Sequence, residues 1–169
     1  MILKALFGRK PADPSDALYA AIVAAARQEK FYAAWGVPDT MDGRFDMQVL
    51  HMYLALERLG KFGAEVEPLR QALTDRFFAA MDAALREVGV GDLAVGKKVR
   101  KMAEAFFGRI KVYSAAQTQN DLREALVRNI YAGSDAAHAG DLATWIMQAQ
   151  QVLKAQDLDA LAQGDVRFE

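Results

Sequence analysis

Residues 44–61 carry an apolar repeat that constrains the fold more than any other segment of the chain. Apolar side chains recur there at intervals of four and three residues, which is the spacing of one face of an α-helix. This face consists of Phe45, Val49, Met52, Leu56 and Leu59. Met47, Leu50 and Leu54 form a second apolar face beside it. The pattern predicts a central helix that is covered on about two thirds of its girth and keeps one polar stripe, which includes His51.

Helical spacing recurs along most of the chain, and no sustained alternation typical of strands appears. The other predicted helices cover residues 16–28, 65–88, 93–116, 120–131 and 135–154. A chain of 169 residues can form one domain with a sizeable core. We therefore predict an all-α, single-domain bundle of five to seven helices. Residues 15–163 would form the domain, residues 1–14 a flexible lead-in and residues 164–169 a polar tail.

The composition argues against several classes of protein. A net charge of −1 is not that of a typical nucleic-acid-binding protein, so we expect no nucleic-acid partner. The chain has no cysteine, which excludes disulfides and thiolate metal sites and suits a reducing compartment. No apolar stretch approaches the roughly 20 residues that cross a bilayer, and no secretory signal is visible. These observations predict a cytoplasmic protein.

The sequence supplies few groups for metal binding or nucleophilic catalysis. Neither His51 nor His138 has the glutamate three residues earlier that a di-iron helical site requires. Ser15, Ser114 and Ser134 lie outside any Gly-x-Ser-x-Gly turn. No glycine-rich phosphate-binding loop is present either. We therefore expect no metal, no cofactor and no catalytic residue.

The segment GVPDTMDGRFDMQVLH, residues 36–51, concentrates polar groups at the start of the central helix. Asp39, Asp42 and His51 could in principle form an acid–base site. Their positions fit capping better, because a side-chain oxygen just before a helix accepts from free backbone N–H groups. Asp46 lies in the first turn, where negative charge meets the positive end of the helix dipole. An enzyme using Asp39, Asp42 or His51 is therefore the less favoured alternative.

The predicted helix over residues 93–116 presents an excess of positive charge. Its basic residues are Lys97, Lys98, Arg100, Lys101, Arg109 and Lys111. Such a face can contact an acidic partner, an anionic membrane surface or RNA, and it can equally be a solvated helix surface. An adaptor that binds anionic lipid or RNA through this face is thus a second alternative. In the preceding helix, the spacing of Asp82 and Arg86 predicts an ion pair.

Three long strings resemble one protein family. FYAAWGVPDTMDGRFDMQVLHMYL, residues 31–54, resembles the signature of the ubiquinol–cytochrome c chaperone family, the cytochrome b assembly factors of respiratory complex III. FFAAMDAALREVGVGDLAVGKKVRKMAEAFFGRIKVY, residues 77–113, and LREALVRNIY, residues 122–131, extend the resemblance in the family's order. The long N-terminal extension with a membrane segment that mitochondrial members carry is absent, so the chain resembles a bacterial member.

The resemblance implies a non-enzymatic chaperone that binds newly synthesised cytochrome b and supports assembly of the cytochrome bc1 complex. Apart from the resemblance, residues 1–10 could form a small foot at the cytoplasmic face of the inner membrane, with Met1, Ile2, Leu3, Leu6 and Phe7 beside Lys4, Arg9 and Lys10; the alternative is a frayed terminus. From the matching motif positions, the predicted partner-binding residues are Trp35, Asp39, Arg44, Asp46, Asp82, Arg86, Asp92, Lys97, Lys98, Lys101 and Arg109. The predicted loop-shaping residues are Gly36, Asp42, Gly43, Gly89 and Gly91. We expect residues 36–46 and 92–101 to lie together as one contact surface.

Overall fold

The computed structural model describes residues 13–132 and 134–169, and all regular secondary structure within them is helical. The α-helices are α1 (Pro14–Ala26), α2 (Glu29–Ala33), α3 (Met41–Gly60), α4 (Glu67–Glu87), α5 (Asp92–Ala115), α6 (Gln119–Asn129), α7 (Ala139–Lys154) and α8 (Leu158–Ala162). A 3₁₀ turn, Ala64–Val66, precedes α4. Over these residues, six helices have eleven residues or more, and α2 and α8 have five each. The all-α single-domain prediction is confirmed. The predicted lead-in lies outside the described residues except for Asp13 and Pro14.

Helix α3 is the centre of the bundle, as the apolar repeat predicts. It packs against α1, α4, α5 and α7, and every residue from 45 to 56 is buried. The prediction of a polar stripe is wrong, because Gln48 and His51 are 7% and 0% exposed. The His51 ring is covered by Trp145 of α7 and by Phe168 near the end of the described chain, with ring centroids 5.1 and 4.9 Å away.

A close backbone contact shapes the start of α3. Thr40 is the N-cap, and its hydroxyl accepts a hydrogen bond from the Gly43 amide at 3.1 Å. A Cβ added at Gly43 would lie only 1.9 Å from the carbonyl oxygen of Pro38. The chain before the cap therefore folds back over the first turn of the helix, and only glycine allows this approach.

The last residues differ from the expected polar tail. Phe168 is 5% exposed and belongs to the hydrophobic core. The side chain of Gln156 holds the backbone at Arg167 through two hydrogen bonds, accepting from its amide at 2.9 Å and donating to its carbonyl at 2.6 Å. Val166 and Phe168 are the two apolar residues of this short segment, too few to establish a periodicity, so the sequence pattern could not reveal this packing.

Helices α4 and α5 are the two longest and pack against α3 through aromatic side chains. The rings of Phe77 and Phe106 are both fully buried, with centroids 4.9 Å apart. Much of the outer surface of both helices is charged or polar. Among residues 13–132 and 134–169, no helix combines the length and the hydropathy needed to cross a membrane.

Candidate binding grooves

Two grooves meet at the start of α3. The first, named here the basic groove, has a volume of about 850 Å³, and its charged lining consists of Asp42, Asp46, Lys98, Lys101, Arg109 and Arg128. The second, named the methionine groove, has a volume of about 730 Å³ and lies against α1 and α4, with Met41, Met81, Leu85, Val88 and Met102 in its lining. The two grooves share five lining residues, which are Thr40, Met41, Phe45, Leu85 and Met102. Together they form one continuous surface on one side of the bundle.

The methionine groove is apolar and partly open to solvent. Met41 and Val88 are 61% and 59% exposed, which is high for large apolar side chains. Methionine is flexible and polarisable, so it can adapt to apolar partners of different shapes. Charged groups stand beside the apolar wall, among them Asp39 and Arg44, whose Oδ1 and Nε atoms are 2.6 Å apart. An apolar surface with a charged rim is typical of a protein-interaction site.

The basic groove carries an excess of positive charge. In residues 13–132 and 134–169, neither Lys98 nor Lys101 has a carboxylate oxygen within 4.0 Å. Arg128 has only a long contact, 3.8 Å, to a glutamate of its own helix. Asp42 is the one exposed acid among the charged lining described here. The groove therefore attracts negatively charged groups.

A buried ion pair lies in the lining of the basic groove. Arg109 of α5 places its Nη2 2.8 Å from Oδ1 of Asp46 on α3, and Asp46 is 5% exposed. Burial raises the pKa of Asp46 to about 6, against the opposing effect of the Arg109 charge, and the charge of Asp42 raises it further. Asp46 was predicted to bind a partner, but its contacts are internal, so it joins α3 to α5 instead.

The structure brings together part of the predicted contact surface. Residues 38–46 of the first segment, apart from Asp39 and Arg44, share the lining of the basic groove with Lys98 and Lys101 of the second. Asp39 and Arg44 line the methionine groove instead. Lys97 is exposed on α5 but lines neither groove.

Four other predicted partner-binding residues lie away from both grooves. Trp35 is half-buried and packs on Phe31, with ring centroids 5.5 Å apart. Arg86 and Asp82 form the predicted ion pair, 2.6 Å between Nε and Oδ2, and Arg86 also pairs with Asp92. Asp82, Arg86 and Asp92 thus form ion pairs at the exposed corner between α4 and α5. Exposed ion pairs of this kind contribute little to stability.

The predicted loop-shaping residues divide into two groups. Gly36 and Gly89 have φ angles of +67° and +84°, which favour glycine, and Gly43 is required by its contact with Pro38. Gly91 has φ −66° and open space around it, so its position does not require glycine. Asp42 is exposed in the first turn of α3, where it complements the helix dipole while Thr40 supplies the cap.

The residues of the enzyme alternative are separated in the structure. Asp39 lines the methionine groove, Asp42 lines the basic groove, and His51 lines a third, smaller cavity. Burial lowers the pKa of His51 to about 4, so its ring is neutral at pH 7. Among the described residues, no three His, Asp or Glu side chains come together as a group that could hold a metal ion. An acid–base site would require one cavity lined by all three residues, whereas the cavities described here separate them, which argues against this alternative.

Several groove residues were not identified from the sequence. Met41, Leu85, Val88, Met102 and Arg128 line the grooves, yet their residue types fit ordinary helix positions. Only Met41 could have been recognised from the sequence as an exposed apolar residue. It follows the cap residue Thr40 and lies outside the apolar repeat of α3. Whether the other four residues line a groove depends on how the helices pack, which periodicity does not determine.

Comparison with known proteins identifies relatives of this chain. The ubiquinol-cytochrome C chaperone family matches residues 33–168. The crystal structure of the Cbp3 homolog from Brucella abortus is 39% identical, with a TM-score of 0.82 over 92% of this chain and 88% of that one. No curated protein matches the chain significantly. The matched range begins before the loop that precedes α3 and extends to Phe168, so it contains the residues of both grooves except Tyr19, Val23 and Arg27.

Proposed function

This chain belongs to the ubiquinol–cytochrome c chaperone family, and on that premise we propose that it is a non-enzymatic assembly chaperone for respiratory complex III. Its client is newly synthesised cytochrome b, which it holds while the cytochrome bc1 complex assembles. The protein works in the cytoplasm and at the cytoplasmic face of the inner membrane, where such a client is inserted.

The continuity of the two grooves is the observation that carries this proposal. A membrane-protein client offers apolar helices flanked by charged loops, and both features need a place on one surface. The methionine groove supplies an apolar wall with exposed Met41 and Val88. The adjoining basic groove supplies Lys98 and Lys101 for acidic groups near the apolar segment. Helix-in-groove binding uses this combination of an apolar wall and a charged rim.

A matched pair of methionines tests the proposal. Met41 is 61% exposed on the shared wall of the grooves, and Met147 is 44% exposed on α7 and lines neither groove. A photo-crosslinking amino acid at position 41 should capture cytochrome b in cells that synthesise it, and the same amino acid at position 147 should not. Met41→Glu should reduce co-purified cytochrome b about tenfold or more, because a charge then faces the apolar client. Met147→Glu should leave the yield unchanged.

Two results would contradict the proposal. Equal crosslinking of cytochrome b from positions 41 and 147 would show that the grooves are not the surface that binds the client. Capture of anionic lipid vesicles or RNA by α5, abolished by salt and independent of any client, would favour the adaptor alternative. The basic residues Lys97 and Lys111 lie on α5 outside the basic groove. Variants at these two positions therefore distinguish client binding in the groove from general binding of anions by the basic face of α5.

A further inference from the structure

The linings of the two grooves differ in charge. Among the described residues, two basic and two acidic side chains line the methionine groove and balance each other; they are Arg27, Asp39, Arg44 and Glu87. In the basic groove, the buried Asp46 is already paired with Arg109. Three basic residues and one acid remain in that lining to act on a ligand, namely Lys98, Lys101, Arg128 and Asp42. The excess of positive charge is therefore confined to one of the two adjoining grooves.

The charges of Lys98 and Lys101 are available to a ligand. Both residues are exposed on α5 and stand three positions apart, so they are neighbours on one side of the helix. Neither has a carboxylate oxygen within 4.0 Å among the residues that the structure describes. By contrast, Arg86 is paired with both Asp82 and Asp92. A ligand in the basic groove thus meets two cations that no internal ion pair neutralises.

The shared wall of the grooves allows one segment of a ligand chain to run from the first groove into the second. None of the five shared lining residues is charged, and Met41 among them is 61% exposed. A segment that is apolar over most of its length and charged at one end matches this arrangement. Its apolar part contacts Met41 and Val88, and its charged end lies beside Lys98 and Lys101. That end is negative, because like charges brought together repel each other.

The need for a negative end distinguishes the two flanks of a membrane-spanning segment. Loops that remain in the cytoplasm carry an excess of lysine and arginine, whereas loops that cross the membrane do not. A cytoplasmic flank would therefore bring positive charge against Lys98 and Lys101, and a flank destined to cross the membrane would not. After insertion, this second flank lies on the far side of the bilayer, out of reach of a protein at the cytoplasmic face.

We propose that this surface binds an apolar client segment whose acidic flank has yet to cross the membrane. The flank lies in the basic groove beside Lys98 and Lys101, and the apolar run lies in the methionine groove against Met41 and Val88. The inference rests on the proposed function and deepens it, because it specifies which end of the segment is held. It also places binding before insertion, since insertion removes the acidic flank from the groove.

Two synthetic peptides test the sign of the flank. Both carry the same apolar run and blocked ends, and they differ only in the residues that follow the run, glutamates in one peptide and lysines in the other. In fluorescence-anisotropy titrations at low salt, the whole protein should bind the glutamate peptide about tenfold more tightly, because exposed charge contacts change from attraction to repulsion. Lys98→Glu combined with Lys101→Glu should abolish or reverse this preference. Lys97→Glu combined with Lys111→Glu, outside both grooves, should retain it.

Crosslinking in cells tests which flank is held and when. Ser134 is exposed and lines the basic groove. A photo-crosslinking amino acid at this position should form adducts with cytochrome b at a loop that ends on the far side of the membrane. The yield of these adducts should rise when membrane insertion is blocked, since the flank then stays in the cytoplasm.

Failure of the inference can be distinguished from failure of the proposed function. Equal affinity for both peptides at low salt, a full preference retained in Lys98→Glu combined with Lys101→Glu, or adducts only at cytoplasmic loops would overturn the inference alone. So would a yield that falls when insertion is blocked. Binding of neither peptide would overturn it too, and if position 41 also captured no cytochrome b, the proposed function would be wrong as well. The salt dependence of the unaltered protein decides the matter if the glutamate variant fails to fold, because high salt should reduce the preference to about twofold or less.

Discussion

Arg109 and Asp46 join α5 to α3 at the basic groove, with Nη2 2.8 Å from Oδ1 and the carboxylate almost fully buried. Removal of one partner from such a pair leaves a buried charge alone. Asp39 and Arg44 form a similarly short pair, 2.6 Å between Oδ1 and Nε, at the same end of α3, but both side chains are more than half exposed. The two pairs therefore allow a controlled comparison of buried and exposed charge.

We expect Arg109→Ala to lower the free energy of unfolding by up to about 3 kcal/mol at pH 7, because the buried Asp46 carboxyl loses its charged partner. The pKa of Asp46 should rise further above 6 in this variant, so that proton uptake relieves part of the loss. Arg44→Ala should leave the free energy of unfolding almost unchanged, because its pair with Asp39 is exposed and screened by water. Urea denaturation measures both values. If Arg44 contacts the client, Arg44→Ala should also weaken client capture; a large loss of stability in this variant would instead reassign Arg44 to a structural role.

The pH dependence of stability should contain two opposing contributions. The pKa of Asp46 is raised from 3.8 to about 6, so its contribution is present below pH 4 and is lost as pH rises through 6. The pKa of His51 is lowered from 6.5 to about 4, so its contribution is present above pH 6.5 and is lost as pH falls toward 4. The two effects partly cancel between pH 4 and 6.5.

Single variants should expose each contribution. Without the His51 titration, His51→Phe should gain stability relative to the unaltered protein as the pH falls from 6.5 to 4. Asp46→Asn should lose relative stability over the same window, because the favourable uptake of a proton by Asp46 is gone. Urea unfolding at several pH values checks both signs. If the free energy of unfolding varies with pH in the same way for the unaltered protein, His51→Phe and Asp46→Asn, then neither the pKa of His51 nor that of Asp46 is shifted by folding.

Gly43→Ala should be among the most damaging single-methyl additions in the chain. Its Cβ would lie 1.9 Å from the Pro38 carbonyl oxygen, so the loop or the first turn of α3 must move, at a cost of about 2–4 kcal/mol. Gly91→Ala is the control, since φ is −66° and no atom lies within 4 Å of the added Cβ. Its effect on the melting temperature should be neutral or slightly favourable.

The sequence predicts the central helix and the bundle because apolar spacing reports directly on which face of a helix is covered. It fails at His51, where the cover comes from Trp145 and Phe168, residues far away in the chain. It also places Asp46 on the surface, because residue type and first-turn position suit the helix dipole as well as an internal ion pair. Lys98 could be assigned to a basic face, but the groove beneath it depends on the packing of α3, α5 and α6.

Phe168→Ala should show that the end of the described chain belongs to the core. Truncation of a side chain that is 5% exposed and packed on His51 should lower the free energy of unfolding by about 3 kcal/mol. Asp165→Ala, at an exposed position of the same segment, should change it by less than about 0.5 kcal/mol. Similar denaturation midpoints for the two variants would restore the interpretation of residues 164–169 as a tail.

Charge reversal in the basic groove should affect the client selectively. Lys98→Glu combined with Lys101→Glu should weaken cytochrome b capture at least fivefold and remove most of its salt dependence. Both cations line the groove, and neither forms an ion pair with another described residue. Lys97→Glu combined with Lys111→Glu changes the net charge equally outside the groove. Pull-downs at low and high salt distinguish the two; equal losses would indicate a general electrostatic effect.

Met41, Phe45, Leu85 and Met102 belong to both grooves, so neither groove has a complete wall of its own. A methionine side chain that turns to cover a segment in one groove leaves a gap in the other. Under the proposed function, we therefore expect a segment bound in one groove to alter the other groove through the rotamers of these shared side chains. Two client segments that bind one after the other would then meet different surfaces, and we expect the order of their binding to affect how tightly each is held.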